Sequence, residues 1–68
     1  MTKTKAAAIA ASAYNVCGPR DGSPATPANV GNLRRTDLVR CLGLYLAAHD
    51  GSLYTLAEID AARDLLAA

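Results

Sequence analysis

Cys17, Cys41 and His49 carry the only thiol and imidazole groups in the chain, so nucleophilic or soft-metal chemistry has to start from them. On a single helix, positions 41 and 49 stand about 12 Å apart at the 1.5 Å rise, too far to share a zinc ion or to pass a proton from thiol to imidazole. The set also lacks short paired spacing. Cys41 is therefore expected to be a small core residue, and His49 to serve the C-terminal end of its helix. One disulfide, Cys17 to Cys41, is open to the chain, and closing a loop of roughly 25 residues is worth about 3 kcal/mol in the chain-entropy model. Two cysteines do not define a disulfide scaffold, and reduced thiols are the first expectation.

Three other groupings deserve the same test. Glu58, Asp60 and Asp64 lie within seven residues, but on one short helix with no second element to close a cleft, so they read as a solvated face. The stretch GPRDGSP lacks the Lys-Ser/Thr pair and the strand-to-helix setting of a phosphate-binding loop. Arg34, Arg35 and Arg40 are the stronger candidates. Two adjacent guanidiniums at a helix start, with a third a turn or two later, can grip carboxylates or phosphates in bidentate fashion. No catalytic set, metal site, cofactor motif or small-molecule site emerges, and enzyme activity is not expected.

The elements that position these residues follow from periodicity. Thr36 to His49, TDLVRCLGLYLAAH, is the most apolar run. At 100° per residue Leu38, Cys41, Leu42, Tyr45 and His49 share a face, while Leu44 and Leu46 lie about 160° apart and cannot both join it. The helix, expected over 32–50 with a firm start at Thr36 and a stop at Asp50-Gly51, should be covered on more than one side. The strip at Gly43, Leu44 and Ala47 is the place for a second backbone to approach. Thr55-Leu56-Ala57-Glu58 fits a capping box that opens a helix over 55–67, with Ile59, Ala62 and Leu66 as its buried stripe. Leu53 precedes the cap and can staple onto Ile59.

Upstream, Ala6, Ile9, Ala10, Ala13 and Cys17 recur at helical spacing, predicting an Ala-rich helix over 3–17, capped by Thr2 or Thr4 and stopped by Gly18-Pro19. Such a face buries little, so this helix is expected to be the least stable and to order on docking. Residues 18–31 contain three Pro and three Gly and read as an irregular arm, either a connector or an extended segment anchored on a partner by Pro24 and Val30. Lys3, Lys5, AAAIAASA and Ala11-Ser12-Ala13 imitate a secretion signal, but Ile9 is the only strongly apolar residue there. A cytoplasmic protein is expected, with a secreted form as the alternative. No run approaches the ~20 apolar residues of a membrane span.

Sixty-eight residues form one small all-α domain: a helical hairpin over 33–67 joined through the arm to the N-terminal helix. Nine Leu, two Ile and three Val, without Phe or Trp, make a thin core. In chains this short, burial and chain entropy nearly cancel, which is a physical reason to expect association. Net charge is +1, too low for a strongly basic nucleic-acid binder. Its distribution is uneven: residues 1–40 hold six Lys and Arg against two Asp, whereas residues 41–68 hold Arg63 against four acids.

Leu38 to Leu66 also resembles the first two helices of winged-helix DNA-binding domains. His49-Asp50-Gly51-Ser52 as a polar turn and Thr55-Leu56-Ala57-Glu58-Ile59 as the start of the second helix carry that likeness, over less than half the chain. It implies a helix pair. DNA reading would need a recognition helix, and the helix present is acidic. Size and composition match the free-standing inhibitors that phages and mobile elements encode. The expected function is therefore protein binding, as an accessory subunit or inhibitor of a larger protein, through Arg34, Arg35, Arg40, Gly43, Leu44 and Ala47. The alternatives are a nucleic-acid-associated regulator using the three arginines, and a homodimer paired through the central helix across Gly43 and Ala47.

Overall fold

Alanine at the contact side of a helix lets a neighbouring backbone come close, and the first helix exploits this. In the computed structural model, which describes residues 1–18, 24–48 and 53–67, Ala6, Ile9, Ala10 and Ala13 are all fully buried on one side of α1 (Lys3–Cys17). A 3-10 turn at Val30–Asn32 follows, then α2 (Arg35–Ala48) and α3 (Leu56–Ala67). The fold is all-α, with no strand among the described residues. α2 and α3 pack together as their short connection requires, but α1 is no appendage: it packs against both of them. The surface on which α1 orders lies within its own chain.

Two contacts set the helix directions. Lys5 in the first turn of α1 pairs with Glu58 in the first turn of α3, so these helices run the same way. Arg35, Thr36 and Val39 at the start of α2 lie beside Ala67 at the end of α3, so that pair is antiparallel. Ile9, Leu42 and Ile59, one from each helix, are the largest side chains completely buried, with Cys41 beside them. Val30, Leu38, Tyr45 and Ala62 complete the core, and Tyr14, Cys17, Leu33, Leu46, Tyr54 and Leu66 pack around it.

The helix ends obey local chemistry. The Thr2 hydroxyl accepts from the Lys5 N–H at 3.1 Å and starts α1. At the far end the Gly18 N–H donates to the Tyr14 carbonyl at 2.8 Å. Gly18 is not in the left-handed region, with φ at −90°. It is favoured by space instead, because a Cβ there would sit 2.5 Å from the Tyr14 oxygen. For α3 the capping box forms: the Thr55 N–H donates to Glu58 Oε1 at 3.0 Å and the Glu58 N–H donates to the Thr55 hydroxyl at 3.1 Å.

Three expectations change. Tyr54, directly before the cap, packs on the core, whereas Leu53, the expected staple residue, is 65% exposed. α2 begins at Arg35 rather than at Asn32 or Thr36, because Leu33 leaves the 3-10 turn extended and the Arg34 carbonyl already accepts from the Leu38 N–H at 3.1 Å. The described part of the arm is irregular, as expected, but it is held in place by local bonds and by this chain's own core. Thr26 and Asn29 cap each other reciprocally, the Thr26 N–H donating to Asn29 Oδ1 at 2.8 Å and the Asn29 N–H donating to the Thr26 hydroxyl at 3.2 Å, with Pro27 in the first-turn position that suits it. Asn15 on α1 then holds the arm by both edges of Ala25, accepting from its N–H at 2.7 Å and donating to its carbonyl at 2.9 Å. Val30 therefore anchors the arm in this chain's own core, and Pro24 is exposed. The expected helix stop at Asp50-Gly51 lies outside the described residues.

Where α1 meets its neighbours there is no room for a longer side chain. Ala10→Leu should lower stability by about 1–3 kcal/mol through overpacking, whereas Ala61→Leu on the exposed side of α3 should stay within about 0.5 kcal/mol of the parent. Urea unfolding of the two variants checks this; equal midpoints would show that α1 is not wedged between α2 and α3.

Candidate functional site

The residues singled out for partner binding all lie on or just before α2, yet the fold separates them. Leu38, Cys41, Leu42 and Tyr45 turn inward. Gly43 does not share an open strip with Leu44: it is half-buried on the side facing α3, and a Cβ there would stand 3.8 Å from the Arg63 guanidinium. Arg63 is in turn held by Asp60, Nη2 to Oδ1 at 2.6 Å. A second α2 cannot close onto Gly43 without displacing this pair. Leu44, by contrast, is 49% exposed, and Arg40, Ala47 and Ala48 are exposed on the same outer side. Neither α1 nor α3 covers it.

Arg34 and Arg35 are exposed at the start of α2. Arg35, Thr36, Val39 and Ala67 line an open cleft of about 310 Å³. Arg40 reaches Asp37 one turn back at 3.7 Å, with both side chains substantially exposed. Such a pair contributes well under 1 kcal/mol and leaves Arg40 available to another carboxylate. The outer side of α2 is thus an apolar spot at Leu44, Ala47 and Ala48 with cations toward its N-terminal end. It can recognise a surface offering an apolar side chain and carboxylates; it has no group placed for bond chemistry.

Among the described residues the cations do not form one continuous surface. Lys5 is at the Glu58 end of α3, and Arg35 is at the Ala67 end, a helix length away. Glu58 is bonded through both oxygens: one takes the Thr55 N–H and hydroxyl, and the other pairs with Lys5 of α1. The Lys5 ammonium, followed by the Thr55 backbone N–H, holds its carboxyl at a pKa of about 2, below the ordinary 4.5. The capping role of Glu58 was legible from Thr55-Leu56-Ala57-Glu58; its bond to Lys5 was not, because only the tertiary fold brings residues 5 and 58 together.

Cys17 and Cys41 are free thiols, so the bridge open to them is not formed. Cys17 is half-buried at the end of α1 and Cys41 is completely buried in α2. Burial chiefly pushes the Cys41 thiol pKa up, opposed by Arg40 and reinforced by Cys17 and Asp37. His49 lies outside the described residues, among which no cluster of three or more His, Cys, Asp or Glu could hold a metal ion. No helix there is long and apolar enough to cross a membrane. No protein-family model matches the chain, and neither a curated protein nor a solved structure matches it.

The depressed Glu58 pKa links stability to pH with a definite sign. A carboxylate ionised more readily in the folded state stabilises it fully above the ordinary 4.5, and that contribution is lost as pH falls toward about 2. Thermal unfolding followed between pH 5 and about 2 should show Tm falling with acid, and Glu58→Gln should have a flatter profile. Identical slopes for parent and variant would show that the Lys5–Glu58–Thr55 node does not hold in solution.

Proposed function

We propose that this domain is a non-enzymatic protein-binding module, an accessory subunit or small inhibitor that docks on a larger protein through the outer side of α2. The observation that carries this reading is the distribution of large apolar side chains. Met1, Val16, Leu44, Leu53, Leu56 and Leu65 are exposed, as many as the Ile9, Val30, Leu38, Leu42, Tyr45 and Ile59 that are buried. Leu44 is the exposed leucine with arginine a turn away on the same side, the combination of anchor and directed polar group that concentrates binding energy in interfaces. The two free thiols suit a reducing compartment, and we place the domain in the cytoplasm. The division of cations between two ends of the molecule weighs against a nucleic-acid track, and the Arg63–Asp60 pair beside Gly43 weighs against self-pairing there.

Affinity capture from the source cell, followed by mass spectrometry, tests the reading with two baits. The parent domain should retain a specific protein, and Arg40→Glu/Leu44→Asp, with unchanged helicity and Tm, should lose it by at least about tenfold, as removal of a central anchor and its charge does. Retention of the same protein by the double variant, or none by the parent, overturns the assignment. Retention on duplex DNA at low salt that Arg34→Ala/Arg35→Ala abolishes would replace it with the nucleic-acid reading.

A further inference from the structure

The outer side of α2 is graded along its length in both shape and charge. Arg40, Leu44 and Ala48 follow one another along a single i, i+4 row, Ala47 lies beside that row, and all four are exposed. Leu44, 49% exposed, therefore stands above a low step made by two alanines. Residues 34–40 hold Arg34, Arg35 and Arg40 against Asp37, whereas residues 41–48 hold no charge. Asp37 approaches Arg40 only to 3.7 Å, with both side chains substantially exposed, so Arg40 keeps donors for a second carboxylate. The secondary structure of an occupant follows from what this surface lacks. An extended segment docks by adding a strand to an open sheet edge or by lying in an aromatic-lined groove. α2 bonds its own backbone, no strand is present among the described residues, and Tyr45, the aromatic residue of α2, is buried. A helix packs on a convex helical face, ridge against step, and the alanines let its axis come near.

Resting on the docking role given to this side of α2, we propose that the element of the partner seated there is an acidic amphipathic helix. One large apolar side chain of that helix sits on Ala47 and Ala48 against Leu44, and a carboxylate one to two turns along it meets Arg40. The spacing fits. Ala47 and Ala48 stand about 11–12 Å from Arg40 along α2 at the 1.5 Å rise, which is two turns of a helix laid alongside. Arg34, exposed just before α2, extends the cationic end for a further carboxylate. The apolar seat supplies the anchor, and the guanidinium, which can bind a carboxylate through two parallel bonds, selects acidic helices over basic ones.

The probe is a phage library displaying a stable helical scaffold with the outward positions of one helix randomised, selected on the native domain. Retained clones should be enriched in Asp or Glu one to two turns from a large apolar residue on the same face, and depleted in Lys and Arg there. Binding of a retained clone should fall at least about tenfold for Arg40→Glu, for Leu44→Asp and for Ala47→Trp, which fills the step. It should hold for Ala61→Trp on the exposed side of α3. All four positions are exposed, and unchanged circular dichroism checks that each variant folds. Exchanging the clone's carboxylate for Lys should restore binding to the Arg40→Glu protein and abolish it for the parent. Retained clones without the carboxylate, or indifferent to Arg40→Glu, overturn the acidic helix even where Leu44 is required, and leave the docking side of α2 standing. Clones indifferent to every α2 variant, or no retained clones, overturn the acidic helix together with that side.

Discussion

The approach of three helix backbones at the alanine side of α1 is the constraint on which the rest of the structure depends. Ala6, Ala10 and Ala13 bury completely, yet each removes little apolar surface from water, so that seam is stabilised chiefly by close packing around Ile9. A wider α1 would hold α2 and α3 further apart and leave Leu42 and Ile59 without their third wall. The same seam leaves Leu44 uncovered, since a helix settled close against the Leu38–Tyr45 face cannot also reach the far side of α2.

A core built this way needs polar reinforcement at its margins, and the bonds are where that need predicts. Asn15 grips both edges of Ala25, Thr26 and Asn29 cap each other, and Glu58 joins the start of α3 to Lys5 of α1. Each acts where apolar burial stops. The arm and the first turn of α3 are thereby fastened to α1 by directed bonds, and Val30 adds an apolar anchor for the arm.

Much of this was legible in the sequence, for reasons that also explain the rest. The three helices follow from apolar spacing, and the Thr55–Glu58 box from a local motif whose partners are three residues apart. Thr26-Pro27-Ala28-Asn29 carries an equally local cap signal within the irregular arm, and the surrounding Pro and Gly masked it. Asn15 with Ala25, Lys5 with Glu58 and Arg63 with Gly43 are different. Each joins separate elements, and no spacing rule reaches across a fold. The binding strip divided for that reason. Wheel geometry makes Gly43, Leu44 and Ala47 neighbours on the helix, but only the position of α3 decides that Gly43 is occupied and the other two are not.

The uneven charge of the chain takes on a different meaning once folded. A basic first half and an acidic second half would favour head-to-tail association if each half presented its charge intact. Instead, the parallel arrangement of α1 and α3 sets Lys5 against Glu58, while Asp60 is held by Arg63 within its own helix. Lys5 and Glu58 thus match opposite signs of the two halves inside the molecule, and that pair is not available to a second copy. Among the described residues, Arg34 is exposed just before α2, and Arg40, paired with Asp37, lies one turn from the exposed Leu44. On the binding reading proposed above, that site offers a small mixed surface rather than a global dipole, a kind of complementarity that acts through specific contacts more than through long-range attraction.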